Sequence, residues 1–514
     1  MRNIRITRKR SVTVSFRGFI KEQQMPIWPR RTYLDHNATT PIAPEVRRVM
    51  SKCLKKIYGN PSSLHITGRV AKGTIENARR SVAALLGCEP EAVYFTSGGT
   101  EANNAVIKGV FAAAGGGHIV TTRIEHDSVL GACSQVEKFG GQVTYVAAGL
   151  DGRVKPQDIS AAIRPNTVLV SVMHANNETG AIQPVKEIAE LAKKANIPLH
   201  TDAVQTFGKI RTNVDELGCE FLTLSTHKIN GPKGIGAIYW RGNAKWIPLI
   251  AGGDQERGMR TGTEGVHQIA GLGEAAKLAS LRMDSEWHRL RHLRQVMIEG
   301  IRKLYPQVHI NESPDGLQMP GTVNATFSGK SGLSILAGLD CHQIGVSIGS
   351  ACTADRVEPS HVLLGMGLSV EDALSTIRIS MGTTTVRADV KYFLWALKRV
   401  LRGDPKGLSW LAPEHLTEDR VLSNFIIDLR MKYERAMSPS IPTARLWSNI
   451  GLEKHFKEIP HDKEVILMCS TGIFSFEAGY RLAMAGHPKV RVVSGGYEAW
   501  KALYPELLAH LRNC

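Results

Sequence analysis

From Tyr33 to about Leu401 the chain alternates short β-rich runs with longer stretches of helical period. AVYFTS (92–97), HIVTT (118–122), TVLVSVMH (167–174), IPLHTDA (197–203) and FLTLS (221–225) are bounded by Gly, Pro or Asn. Segments such as PVKEIAELAKKAN (184–196) separate them. That alternation predicts an α/β domain with a largely parallel sheet, whose strand ends present their loops at one edge, where ligands bind in such folds. After about residue 265 the pattern turns helix-heavy and then mixed, as expected of a smaller α+β lobe. Gly, Asp and Pro cluster in LRGDPKGLS (401–409) and predict a boundary, with a linker over 403–408. The segment 409–514 reads as a separate small α/β unit, with strands in NFIIDLR (424–430) and VILMCS (465–470) and a Gly-Gly-Tyr turn.

At 514 residues, two or three domains are expected. Apolar residues at 43% and charged residues at 22% are ordinary for a globular protein. No apolar run approaches the ~18 residues of a membrane span. The eight cysteines have neither the density nor the spacing of a disulfide or zinc framework, which points to a reducing compartment and no structural metal. The net charge of +17 would suggest nucleic acid, but residues 1–24 carry seven Lys or Arg against one acid, Glu22. The basic tail, 1–31, reads as a start assigned upstream of Met25 or as a transit peptide, so a cytoplasmic location has a mitochondrial alternative. A primary nucleic-acid role would rest on this tail alone.

Three clusters carry candidate chemistry. Ser97-Gly98-Gly99-Thr100-Glu101 follows a strand and opens a helical run, a seat for phosphate or simply a glycine turn. Ser225-Thr226-His227-Lys228 ends another strand, so Lys228 is either a Schiff-base lysine or a solvated one. Asp202 ends a third, as an ordinary cap or as the partner of a protonated pyridine nitrogen. Phosphate turn, acid and lysine stand in the chain order of a pyridoxal-phosphate site.

YLDHNATTPIAPEV (33–46), YGNPSSLH (58–65), FTSGGTEANN (95–104), EHDSVL (125–130), MHANNETG (173–180), HTDAVQ (200–205), THKINGPKGIGA (226–237), ERGMRTGT (256–263) and IGSACT (348–353) together resemble the cysteine desulfurases. These are class V, fold-type-I relatives of the aminotransferases, and the resemblance spans about 32–400. It implies a large domain over about 40–265, and a small lobe from 265–402 plus the N-terminal segment. It implies that Lys228 carries pyridoxal 5'-phosphate as a Schiff base, Asp202 pairs the ring nitrogen and His126 stacks on the ring. Gln205 and Asn177 would face the ring-oxygen side. Gly99, Thr100, Ser225 and His227 would hold the phosphate. Thr263 would reach the phosphate of a partner subunit, which implies a homodimer with shared sites. Arg378 would grip the substrate carboxylate through its planar fork, with Asn177 beside it. His36 stands where the family commonly has Asn or Tyr, and Asp254 interrupts a run more usually all Gly.

Cys352 decides the reaction that the resemblance implies. It lies in the small-residue run Ser347 to Thr353, and its thiolate would attack the sulfur of L-cysteine after Lys228 removes the Cα proton. Alanine leaves and a persulfide stays on Cys352. Cys53, Cys88, Cys133, Cys219 and Cys341 read as inert buried thiols.

SWLAPEHLTEDRVLSNFIIDLR, SIPTARL (440–446) and VILMCSTGIFSFEAGYRLAMAGHPKVRVVSGGYEAWK resemble a single rhodanese domain over about 409–510. Cys469 opens a loop between strand and helix, where backbone N–H groups and the helix dipole favour a thiolate. Family members often place arginines there; this loop has Ser470, Ile473 and Phe474. The resemblance therefore favours a persulfide relay from Cys352 through Cys469 over a thiosulfate sulfurtransferase, with an inactive docking module as the alternative. Cys514 reads as a bystander. The final acceptor is a sulfur-accepting protein of iron–sulfur assembly or a thiolation route. Competing readings of the whole chain are a selenocysteine lyase, another class V lyase, or a sulfur-delivery scaffold.

Overall fold

The computed structural model describes residues 31–510 except 315–316, 349–358 and 404. Its largest sheet is built from β1 (Val93–Thr96), β2 (His118–Thr122), β3 (Gln142–Val146), β4 (Thr167–Ser171), β5 (Leu199–Asp202), β6 (Phe221–Ser225) and β7 (Gly236–Trp240). The strand order is β1-β7-β6-β5-β4-β2-β3. Only β7 runs against its neighbours. Successive residues of a strand point to opposite faces, and here both faces are covered. Phe95, Val120, Val170 and Leu222 enter one core, while their neighbours Tyr94, Ile119, Leu169 and Phe221 enter another. The second core is closed by α1 (Gly99–Ala113) and α2 (Asp127–Lys138). A parallel sheet needs this double cover, because its crossovers place helices on both faces.

The 39-residue α3 (Val266–Leu304) then leads out of the large domain. Val266, Ile269 and Leu272 in its first turns pack into the large-domain core; Leu293, Met297 and Ile301 pack into a separate one. That second core lies under an antiparallel sheet of β8 (His309–Ile310), β9 (Thr322–Thr326) and β10 (Thr376–Ser380), ordered β10-β9-β8. It is closed by α4 (Gly332–Cys341) and α6 (Arg387–Leu401), with α5 (His361–Gly365) lying between these in sequence. Leu34, next to the strand Thr32–Tyr33 that pairs with Ile344–Gly345, belongs to the same core.

The C-terminal sheet is wholly parallel: β11 (Leu408–Leu411), β12 (Phe425–Asp428), β13 (Arg445–Leu446), β14 (Val465–Met468) and β15 (Val490–Val493), ordered β11-β15-β14-β12-β13. Its first strand comes earlier than the expected NFIIDLR. Leu408 to Leu411 pair with Val490 to Val493 directly after Gly407, where the Gly and Pro signal of the break hides a short edge strand. The helix after β14, α7 (Ile473–Met484), packs on α4 of the small lobe. The Tyr480 hydroxyl lies 3.4 Å from His342 Nε2, and the His342 ring meets Trp395 edge-on at 5.4 Å.

Candidate active site at the strand ends

The C-terminal ends of β1, β2, β4, β5 and β6 open on one edge of the sheet and bring most of the expected residues together. At the end of β1, Gly98 takes φ +151°, and a Cβ there would meet nothing within 4 Å. A Cβ on Gly99 would come within 2.8 Å of Val204 Cγ2. The first intrahelical bond of α1 runs from Ala102 N to the Gly98 carbonyl, so the N–H groups of Gly99, Thr100 and Glu101 face outward as an anion seat.

Asp202 ends β5, buried, and is held on both oxygens. Oδ1 accepts from Val204 N at 2.9 Å and Oδ2 from Asn103 Nδ2 at 2.7 Å. Asn103 accepts in turn from Thr223 Oγ1 and donates to Ser128 Oγ, which lies 2.8 Å from His126 Nδ1. His126, exposed, caps α2 by accepting from Ser128 N. The acid and the imidazole are thereby joined through Asn103, a residue present in the sequence motif but given no role there.

Lys228 follows β6 in a 3₁₀ turn, and Nζ donates to the Asn37 and Ala38 carbonyls at 2.6 and 2.9 Å. Burial, then the Arg378 charge, lowers its pKa to about 8, against a partial pull from Asp202 and Asp35. Its neighbour His227 is neutral, pushed down to about 4 by burial first and Lys228 next. Gln205 Nε2 donates to the same Asn37 carbonyl at 3.0 Å.

Arg378 on β10 donates through Nη2 to Asp35 Oδ1 at 2.8 Å and through Nη1 to the Asn177 carbonyl at 3.2 Å. Its Nε and the Oδ1 of Asn177 are buried without partners among the described residues. Such orphaned donor and acceptor atoms cost free energy unless a ligand satisfies them. Ser225 ends β6 buried, and Thr263 stands exposed in the loop before α3, with no hydrogen bond to the others among the described residues. Cys352 lies outside the described residues. Just past that segment, the Ser360 hydroxyl caps α5 and donates to Glu178 Oε2 at 2.6 Å; sequence reading had passed over Glu178.

The class-V aminotransferase family model matches residues 32–393, and the rhodanese-like domain model matches 412–503. The cysteine desulfurase IscS of Dictyoglomus turgidum is 45% identical over 374 residues, covering 72% of this chain and 95% of its own length. The chain belongs to the cysteine desulfurases of the class-V aminotransferase family. Among solved structures, the NifS-like protein of Rickettsia africae aligns at TM-score 0.67 and 34% identity, over 73% of this desulfurase and all of that chain. The protein SspA, solved in complex with cysteine, aligns at TM-score 0.61 and 37% identity, over 69% of this chain and all of its own.

The family depends on pyridoxal phosphate, and the residues of this desulfurase fit that group. The outward N–H groups of α1 suit a phosphate, the doubly held Asp202 suits a cationic ring nitrogen, and Lys228 is the amine among them. Among the described residues, no cluster of His, Cys, Asp and Glu could hold a metal, and no helix is long and apolar enough to cross a membrane.

In the rhodanese-like unit Cys469 directly follows β14, 3% exposed, and its Sγ accepts from Gly472 N at 3.1 Å and from Ser475 Oγ at 3.4 Å. Gly472 can present that N–H because it holds φ +94° at the start of α7. Ser470 is turned away, its hydroxyl bonded to Glu434. Phe474 is exposed beside the loop. Arg430 is already committed: fully buried, it pairs with Asp428 at 2.8 Å and stacks on Tyr497.

Proposed function

We propose that this desulfurase converts L-cysteine to L-alanine at the strand-end site, leaves the sulfur as a persulfide on Cys352, and passes it through Cys469 to an acceptor protein. The observation that carries the reading is the meeting of Lys228, Asp202, Arg378 and the open N-terminus of α1 at one sheet edge. When bound, pyridoxal phosphate supplies the sink for the electrons released at the substrate α-carbon. Arg378 and Asn177 take the substrate carboxylate, whose oxygens accept from the buried Arg378 Nε that lacks a partner and from the amide N–H of Asn177. Lys228 has its pKa lowered to about 8, so it exists partly as the free amine near neutrality and can accept the Cα proton. The Cys352 thiolate then bonds to the substrate sulfur, the C–S bond breaks with its electron pair left on carbon, and protons return to carbon to give alanine. No outside oxidant is consumed.

For the relay, the Cys469 thiolate attacks the outer sulfur of the Cys352 persulfide, forming one S–S bond while another breaks and regenerating the Cys352 thiolate. The N–H of Gly472 and the hydroxyl of Ser475 on Cys469 Sγ support an anionic sulfur there. A second reading, a docking module without sulfur chemistry, is favoured by the exposed Phe474 and by Arg430 being committed elsewhere. The exposed Thr263 supports a homodimer in which each subunit completes its partner's phosphate site.

The test is a short pulse of L-cysteine followed by mass spectrometry, scoring alanine and the site of added sulfur, with Cys352→Ser in parallel. Sulfur on both cysteines, absent from both in the variant, is expected. Sulfur on Cys352 alone favours the docking reading. No alanine from cofactor-loaded protein refutes the enzyme.

A further inference from the structure

Lys209 has no part in the chemistry above, yet it lies within the same hydrogen-bond network. Six residues past the end of β5 the chain turns at Gly208, φ +68°, where a Cβ would come within 2.8 Å of Ala279 on α3. The turn brings Lys209 back beside Gln205, and Nζ donates to Gln205 Oε1 at 3.1 Å. Gln205 Nε2 donates to the Asn37 carbonyl, which also accepts from Lys228 Nζ. Lys209 and Lys228 share a cavity of about 90 Å³ walled by Leu278, Trp287, Met319 and Met381. In these apolar surroundings burial, then Lys228 and Arg378, lowers the Lys209 pKa to about 7. Charged or neutral, a lysine amine keeps an N–H for Gln205.

A glutamine amide has two nearly isosteric orientations, and its neighbours decide between them. With a donor at Lys209 and an acceptor at Asn37, only one orientation makes both bonds. The other sets oxygen against oxygen and N–H against an amine. We propose that Lys209 is a positioning residue that locks the Gln205 amide so that its second N–H is kept for the ring oxygen of the cofactor. This rests on the reading of Gln205 as a ring-side contact. A donor on that oxygen favours its ionised form and weakens its hold on the proton of the adjacent lysine-linked nitrogen. The proton then leaves at lower pH.

The experiment follows the visible absorption of the bound cofactor against pH in the holoenzyme, for the wild type, K209M, Q205L, the double variant and K209Q. K209M and Q205L should each raise the midpoint by about one pH unit, the scale of one hydrogen bond to a charged group. K209M should add nothing on the Q205L background, since the two would act through one contact. K209Q, which keeps an N–H but carries no charge, should hold the wild-type midpoint. Additive shifts, or a K209Q midpoint equal to that of K209M, would overturn the proposal by showing that Lys209 acts through its charge. An unchanged midpoint in Q205L would instead overturn the reading of Gln205 itself. If K209M does not fold, K209Q and Q205L still decide between donor and charge.

Discussion

Glu125 gives the sharpest test of the electrostatics under the site. It sits between β2 and α2, fully buried; Oε1 accepts from Thr122 Oγ1 at 2.9 Å and from Met173 N at 2.8 Å, and Oε2 has no partner among the described residues. Burial raises its pKa from 4.5 to about 8, with the nearby Asp202 charge adding to the rise and the two hydrogen bonds opposing it. A raised carboxyl pKa means that the unfolded chain loses this proton first. The stabilising contribution is therefore complete below about pH 4.5 and disappears as pH rises through 8. At 1.36 kcal/mol per pH unit, the shift removes about 4 kcal/mol between pH 5 and 8.5. Glu125→Gln cannot ionise and resembles the protonated acid in shape. Urea unfolding of the cofactor-loaded wild type and E125Q at pH 5 and 8.5, each followed through its first transition, isolates this group, because other titrations cancel in the difference. The stability difference should swing toward E125Q by about 4 kcal/mol at the higher pH. A difference constant to within about 1 kcal/mol would refute a neutral buried acid at this position.

Uptake of pyridoxal phosphate by the apo-protein should accelerate with pH around a midpoint near 8, set by Lys228, and Arg378→Gln should move that midpoint upward by removing a cation that disfavours protonation; stopped-flow absorbance reads both. Arg430→Met strands the buried Asp428 carboxylate and should cost the C-terminal unit about 3–5 kcal/mol, seen as an earlier unfolding transition while alanine production persists. Tyr480→Glu places a charge against His342 at the contact of α7 with α4, so limited proteolysis should cut near 404–407 faster, and the share of pulsed sulfur reaching Cys469 should fall with alanine yield unchanged.

Much of the site was legible because its residues stand at strand ends inside short, ordered motifs. Asp202 ends, and Lys228 and Gly99 closely follow, strands that hydrophobic runs had located, and the fold had only to bring the strand ends to one edge. Other features depend on distant contacts. Asn103 gains its place by bonding Asp202, which is 99 residues away. Glu178 matters through Ser360, 182 residues away. Nothing local in FGKI marks Lys209, whose setting is made by α3 and the N-terminal segment. The strand Leu408–Leu411 was hidden for a different reason: it is a short edge strand entered from a glycine, so its sequence reads as linker. The reading of Cys352 falls outside the described residues and stands on its motif alone.

Docking of the C-terminal unit bears directly on how a relay would run. A domain joined only by a linker samples a volume, and its effective concentration falls as the linker lengthens. Here α7 begins just after Cys469 and packs along α4, while the segment after α4 carries Ser347, whose backbone pairs with Arg378 on β10. One helix of the small lobe thus braces both the strand that carries Arg378 and the helix that supplies the Gly472 N–H to Cys469 Sγ. Tyr480, His342 and Trp395 make that brace an aromatic contact rather than a few surface ion pairs, so it should persist at high salt. Transfer to Cys469 would then meet a receiving thiol held at a fixed place on the small lobe. It should proceed at a rate independent of protein concentration and nearly independent of ionic strength, and delivery to a separately added copy of the rhodanese-like unit should be much slower.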